Sequence, residues 1–174
     1  MRRHAATMSG FINENGFTKI AEIGVWVGRF MDGVLSVCDG VNEYWGIDMY
    51  RKIPDSNYHE VNMLKMTNDE WDVLYSSVCK HMLKHRQLRL IREESSRAAG
   101  IFPDGYFDLV FIDGDHTYEA VLQDLKAWTP KVRKGGWVSG HDCIRRTPGV
   151  AKALEEFYGD TWQRLHATCW KKEI

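Results

Sequence analysis

Five side chains that can bind a metal ion or take up a proton follow two short apolar runs in the 174-residue chain. They are Asp113, Asp115, His116, His141 and Asp142. Carboxylates suit a hard divalent cation such as Mg²⁺, and imidazole extends the choice to Mn, Fe, Zn or Ni. An aspartate or a histidine beside such an ion can also act as a general base. The residue types therefore indicate metal-assisted or acid–base chemistry.

The two apolar runs belong to a chain in which strand patterns and helix patterns alternate. Strands are predicted at 18–24, 43–50, 88–91, 106–113 and 136–142. Helices are predicted within 29–40, 67–85, 95–102, 117–128 and 147–158. Residues 51–66 read as a loop, residues 161–174 as a small terminal hairpin, and no element is predicted before the first strand.

This alternation predicts an α/β fold with a doubly wound, Rossmann-like, mostly parallel sheet and an abbreviated C-terminal hairpin. Ligands of such sheets bind beyond the carboxyl ends of the strands. The five side chains follow two predicted strands directly, so the fold would place them at that edge.

Composition narrows the class of protein. A hydrophobic content of 44 % and a charged content of 27 % are typical of one globular domain, which we predict over residues 1–174. The net charge of −1 gives no basic field for nucleic acid. We expect a cytoplasmic protein with reduced thiols and no membrane association, because the four cysteines form no CxxC pair and no apolar run could span a bilayer.

The turn after the first predicted strand carries Glu22, Gly24 and Gly28. Glycine there lets the backbone approach a ligand closely. The G-x-x-x-G spacing differs from a dinucleotide fingerprint, and no P-loop lysine follows. Asp48 lies 20 residues beyond Gly28, where an acidic group can hold a ribose diol. Taken singly, these residues also fit an ordinary turn and a solvated loop.

Three segments together resemble the class I S-adenosylmethionine-dependent methyltransferases. They are EIGVWVGRF, GID and IREESSRAAGIFPDGYFDLVFIDGDHTYEAVLQDLKAWTPKVRKGGWVSGHD. The resemblance covers about residues 18 to 158, and its longest block is similar to the metal-dependent O-methyltransferases of sugars and small molecules. It implies the class I methyltransferase fold and S-adenosyl-L-methionine as the cofactor.

The resemblance also implies roles for single residues. Gly24 and Gly28 would lie near the methionine part of the cofactor, in a turn that Glu22 begins. Asp48 would bind the ribose hydroxyls, and Asp113 would lie below the sulfonium. Glu94 and Ser95 fall where the family contacts adenine, although Glu93 replaces the usual glycine of that motif.

The family resemblance also implies a metal site and a base. Asp113, His141 and Asp142 would hold the ion, Mg or Mn, with His141 standing where the family has an oxygen ligand. His116 occupies the position of the base lysine of the catechol enzymes, and Asp115 that of the base aspartate of the sugar enzymes. We favour His116, because an imidazole pKa near 6.5 suits base work at neutral pH. The structural alternatives are that Asp115 or His116 caps a helix, and that His141 and Asp142 form a hydrogen-bonded loop pair.

We therefore expect a methyltransferase that acts on a hydroxyl oxygen of a small molecule or sugar. The acceptor would lie between residues 51–66 and 143–150, and a second copy of the chain could complete its pocket as a homodimer. Two alternatives stay open: a metal-dependent phosphoesterase, and a non-catalytic module that binds S-adenosylmethionine.

Some aromatic and imidazole side chains receive no functional role from the sequence. Trp26, inside the cofactor turn, could wall the ligand cavity or pack beneath it. The remaining histidines show no partner pattern and are predicted to be surface or packing residues: His4, His59, His81, His85 and His166.

Overall fold

Seven strands form one sheet in the computed structural model, which describes residues 3–51, 65–166 and 168–174. The strands are β1 (Lys19–Ile23), β2 (Glu43–Asp48), β3 (Leu88–Arg92), β4 (Phe107–Ile112), β5 (Val132–Gly140), β6 (Gln163–His166) and β7 (Cys169–Glu173). Their order in the sheet is β3-β2-β1-β4-β5-β7-β6. The doubly wound, mostly parallel sheet predicted from the sequence is confirmed.

Strands β1 to β5 are parallel, whereas β7 pairs antiparallel with both β5 and β6. The register brings the ends of the central strands level: Ile23 of β1 lies opposite Ile47 and Ile112, and Ile112 lies opposite Gly140. The loops that follow β1, β2, β4 and β5 therefore leave the sheet side by side. We call this side the carboxyl edge.

Seven α-helices are found in the described part of the chain. They are α1 (Arg3–Asn15), α2 (Arg29–Leu35), α3 (Asn68–Cys79), α4 (His81–Lys84), α5 (Ser95–Ala99), α6 (Tyr118–Trp128) and α7 (Pro148–Tyr158). A capping box of Thr67 and Glu70 starts α3, and the Thr117 hydroxyl accepts a bond from the Ala120 amide at the start of α6. Both caps satisfy amides that have no partner inside the helix.

The helices cover both faces of the sheet and bury two apolar clusters. Helices α1, α2 and α3 pack on one face around residues such as Met8, Met31 and Phe111. Helices α5, α6 and α7 pack on the other face around Leu125 and Trp128. Strand β4 is buried over its last four residues, which explains why LVFI (109–112) is continuously apolar instead of alternating.

Several predicted boundaries were wrong. Helix α1 was not predicted, and the helix expected over 67–85 divides at Lys80 into α3 and α4. The strand expected from residue 136 begins at Val132, and the helix within 29–40 ends at Leu35. Residues 52–64, most of the predicted acceptor loop and including His59, lie outside the described part of the chain.

No helix among the described residues combines the length and the apolar character that are needed to cross a bilayer.

Candidate active site at the carboxyl edge

The turn after β1 touches the end of β4. The Gly24 amide donates to the Ile47 carbonyl, and the Asp113 amide donates to the Ile23 carbonyl. Gly24 has a φ of +89°, and a Cβ at this position would lie 2.3 Å from the Asp113 carbonyl oxygen. Only glycine fits both the left-handed conformation and the close approach. The structure therefore brings Gly24 and Asp113 to the same edge.

Asp48 holds the same turn from β2. Its Oδ2 accepts bonds from the amides of Val25 (3.0 Å) and Trp26 (2.8 Å), and its Oδ1 accepts one from the Tyr50 amide. Burial raises the pKa of Asp48, although these amides oppose the shift. The Tyr50 hydroxyl also donates to the Trp26 carbonyl, which helps to keep Trp26 at a φ of 48°. Asp48 thus shapes the turn, and its ribose contact stays a prediction.

Trp26 and Glu22, both near this turn, differ in their exposure to solvent. The Trp26 side chain is 39 % exposed, so it does not pack beneath the turn. Glu22 is 1 % exposed, and its Oε2 accepts a bond of 2.7 Å from the Tyr44 hydroxyl. Burial raises the pKa of Glu22 well above its ordinary value, and the nearby carboxylates of Asp113 and Asp48 add to the shift. Burial therefore disfavours the charged form of Glu22.

A cavity of about 280 Å³ opens beyond the ends of β2 and β3, where adenosine is predicted. Glu94 lines it together with Met49, Arg51, Arg92, Glu93 and Arg97. Ser95 is turned away from solvent: its hydroxyl donates to Asp124 Oδ1 at 2.5 Å and accepts from the Trp128 indole at 2.8 Å. The side chain of Ser95 therefore joins α5 to α6, and the predicted adenine contact would fall to its backbone.

Asp113, His141 and Asp142 come together as the sequence predicted. One ligand atom of each lies within 4.8 Å of the others. His141 Nδ1 is 3.6 Å from Asp113 Oδ1 and 3.1 Å from Asp142 Oδ2, and His141 Nε2 lies 2.9 Å from the Thr168 hydroxyl. One nitrogen and two carboxylates fit a divalent cation, with Thr168 orienting the imidazole. The grouping fits the predicted metal site, and occupancy by an ion stays a prediction.

His116 lies between the two carboxylates. Its Nε2 is 3.4 Å from Asp113 Oδ1 and 3.2 Å from Asp142 Oδ2. Burial alone would lower the pKa of His116, but the Asp113 and Asp142 carboxylates raise it above the ordinary value. Asp115, in contrast, accepts a bond of 2.8 Å from the amide of Thr117, and Thr117 itself is the cap of α6.

His4, predicted to be a surface or packing residue, packs beside the Asp113 cluster. Its ring, in the first turn of α1, lies 4.5 Å from the ring of His141, centroid to centroid, and 5.7 Å from the ring of Phe30. The unpredicted helix α1 therefore brings a third imidazole close to His116 and His141. The missed signal is the spacing of Ala5, Met8 and Ile12, which are all buried.

Comparison with known proteins agrees with this arrangement. Residues 21–143 match a family described as a methyltransferase domain. The matched segment runs from β1 to the residue after Asp142, so it contains the turn after β1 and the cluster of Asp113, His141 and Asp142. The chain therefore belongs to this family, within the class I S-adenosylmethionine-dependent methyltransferases.

Individual relatives are more distant. An uncharacterized protein of Acanthamoeba polyphaga mimivirus is 37 % identical over 60 residues, which is 33 % of this chain and 27 % of that protein. The match thus spans about a quarter of the curated relative. Among solved structures, the O-methyltransferase NovP has a TM-score of 0.70 at 19 % identity, with 98 % of this chain and 77 % of that chain covered.

Two further solved structures share the fold. A calicheamicin methyltransferase gives a TM-score of 0.71 at 18 % identity, covering 99 % of this chain and 80 % of that one. A methyltransferase of Podospora anserina with bound S-adenosylhomocysteine gives 0.67 at 13 % identity, covering 100 % and 79 %.

Proposed function

We propose that the protein transfers the methyl group of S-adenosylmethionine to a hydroxyl oxygen of a small molecule or sugar. The observation that carries the proposal is the position of Asp113. Its backbone packs on Gly24 of the cofactor turn, while its carboxylate lies 3.4 Å from His116 and 3.6 Å from His141. A cofactor in the turn and an acceptor at the cluster would meet at this residue. The fold shared with the O-methyltransferase NovP supports oxygen as the acceptor atom.

The cluster supplies what methyl transfer requires. The sulfonium already carries a good leaving group, so the enzyme must align an unprotonated nucleophile with the methyl carbon. Asp113, His141 and Asp142 would hold a divalent cation, which lowers the pKa of a bound hydroxyl. His116 would accept the hydroxyl proton at Nε2. Asp115 is engaged at the helix start, so the geometry favours His116 as the base.

The charges of the cluster support the proposal that a cation and a base act together here. The carboxylates of Asp113 and Asp142 beside His116 raise its pKa, so the imidazole tends to hold its proton. A cation held by Asp113 and Asp142 would offset the negative charge that keeps the imidazole protonated. His116 could then accept the hydroxyl proton.

The test uses the purified full chain with hydroxylated acceptors, and it measures S-adenosylhomocysteine release. Activity should disappear with EDTA and return with Mg²⁺ or Mn²⁺. His116→Gln should lower kcat roughly 10²- to 10⁴-fold, whereas Asp115→Asn should leave most of the activity. Equal losses in the two variants would contradict the assignment of the base.

Two outcomes would replace the proposal. Hydrolysis of a phosphodiester with Mn²⁺, without binding of S-adenosylhomocysteine, would identify a phosphoesterase. Cofactor binding without transfer to any acceptor would identify a binding module.

A further inference from the structure

A second group of potential metal ligands lies away from the Asp113 cluster. Oδ1 of Asp32 is 3.3 Å from Nδ1 of His81 and 2.9 Å from Nε2 of His85. One ligand atom of each residue lies within 4.8 Å of the others. A tetrahedral zinc ion with bonds of about 2.0–2.1 Å separates its ligand atoms by about 3.3 Å. The three atoms are therefore spaced as ligands of one ion.

The local structure sets this geometry. Asp32 lies in the first turn of α2, His81 begins α4, and His85 follows its last residue. The His85 amide donates to the His81 carbonyl at 2.9 Å, so the segment is one helical turn and places both rings on one side. The side chain of His85 is only 7 % exposed. A buried imidazole aimed at a carboxylate from another helix differs from an ordinary surface ion pair.

We propose that Asp32, His81 and His85 bind a divalent ion of the Zn²⁺ class and thereby fasten α4 to α2. Two imidazole nitrogens and one carboxylate oxygen favour zinc, cobalt or nickel over Mg²⁺, which prefers oxygen ligands. Each ring coordinates through the nitrogen that faces Asp32 and carries its proton on the other nitrogen. Water completes the coordination, as in other three-ligand sites.

The site adjoins the cofactor turn but is distinct from the proposed reaction. A Cβ at Gly28 would lie 3.5 Å from Cδ2 of His81, so the imidazole packs directly on the glycine that precedes α2. An ion here would fix α4 against the end of the turn. The inference concerns stability and positioning, and it holds whether or not the chain transfers methyl groups to oxygen.

Lys84 offers a competing explanation for the cluster. Its Nζ donates to the same Asp32 oxygen at 2.8 Å, and its side chain is 59 % exposed. If Asp32 serves only as an acceptor of charged side chains, removing Lys84 weakens the cluster. If Asp32 is a metal ligand, Lys84 is a rival cation, and removing it strengthens metal binding. The two explanations thus predict opposite effects of Lys84→Met on the affinity for Zn²⁺.

The experiment titrates the metal-free full chain with Zn²⁺ by calorimetry and with Co²⁺ by visible absorption, which reports tetrahedral coordination. Asp142→Asn serves as the background, so that the Asp113 cluster is impaired. There, His81→Gln and Asp32→Asn should each weaken Zn²⁺ binding at least roughly tenfold, and Lys84→Met should tighten it several-fold. Zn²⁺ should raise the melting temperature of the background and of Lys84→Met, but not of His81→Gln.

His166→Gln, which changes an exposed histidine, is the matched control and should leave Zn²⁺ affinity unchanged. Zn²⁺ binding that persists unweakened in both His81→Gln and Asp32→Asn would overturn the proposal. Weaker binding in Lys84→Met would overturn it as well and leave Asp32 as an ion-pair acceptor. Neither result depends on methyl transfer, so failure here is distinguishable from failure of the proposed activity.

Discussion

At the scale of single residues, the carboxylates around the site differ sharply in environment. Asp32 is partly exposed; burial works against its ionisation, but bonds from Lys84 and His85 prevail and lower its pKa to about 2. Asp124 is buried with a hydroxyl as its bonding partner, and burial raises its pKa to about 7. At pH 7 the aspartate at position 32 is therefore an anion, whereas the aspartate at position 124 is about half protonated.

Asp124 should make stability fall as the pH rises. Its folded-state pKa of about 7 exceeds the ordinary 3.8, so the stability it contributes is complete below pH 4 and is lost as the pH rises through 7. Asp124→Asn keeps an acceptor for Ser95 and carries no charge. In urea unfolding the variant should match the wild type near pH 4 and be more stable by roughly 3 kcal/mol at pH 8.

The exposed Asp160→Asn is the control for this pH series. An advantage of Asp124→Asn that is the same at pH 4 and pH 8 would show that Asp124 does not titrate in this range.

Asp142 combines a charge with an unusual backbone. Its φ of 52° lies in the left-handed region, which asparagine and aspartate adopt more readily than alanine. Asp142→Asn and Asp142→Ala remove the same carboxylate beside His116 and His141. We expect Asp142→Ala to be less stable than Asp142→Asn by about 1 kcal/mol in thermal or urea unfolding, with both variants inactive. Equal stabilities would mean that the loop relaxes away from this conformation.

At the scale of elements, α1 and the cofactor turn show two ways in which a segment is fixed. Helix α1 is fixed by burial: Ala5, Met8 and Ile12 are at most 1 % exposed against the rest of the core. The turn is fixed by backbone contacts, since Gly24 touches Asp113 and Asp48 accepts amides from Val25 and Trp26. Substitutions in the turn should therefore act through backbone geometry.

Gly24→Ala tests that geometry. The new Cβ would meet the Asp113 carbonyl oxygen at 2.3 Å while φ is +89°, and both problems involve backbone atoms that cannot rotate away. We expect a loss of more than about 3 kcal/mol in unfolding free energy, together with loss of S-adenosylhomocysteine binding.

Gly40→Ala is the matched control, because a Cβ there meets nothing within 4 Å. Its stability should stay within about 0.5 kcal/mol of the wild type. If Gly24→Ala were as mild as this control, the contact between the turn and β4 would not exist in solution.

At the scale of the whole molecule, the sequence predicted the alternating strands and helices but missed contacts between residues that are distant along the chain. Alternating patterns and the family segments predicted the sheet and the grouping of Asp113, His141 and Asp142. The ring of His4 meets that of His141, far along the chain, and Asp32 with His81 joins α2 to α4. A local spacing could have predicted the helix of His4, but it could not predict these contacts, because the tertiary fold alone brings the two segments together.

The cofactor should stabilise the entire sheet as one unit. Predicted contact residues follow β1, β2, β3 and β4, so unfolding any of these strands would destroy the site. A ligand at a hundred times its Kd adds about 2.7 kcal/mol, and 1 kcal/mol shifts Tm by roughly 2–4 °C at this chain length. Saturating S-adenosylhomocysteine should therefore raise Tm by roughly 5–10 °C in one calorimetric transition. Asp160→Asn should show the same shift; two transitions, with only one of them shifted, would contradict a single cooperative unit.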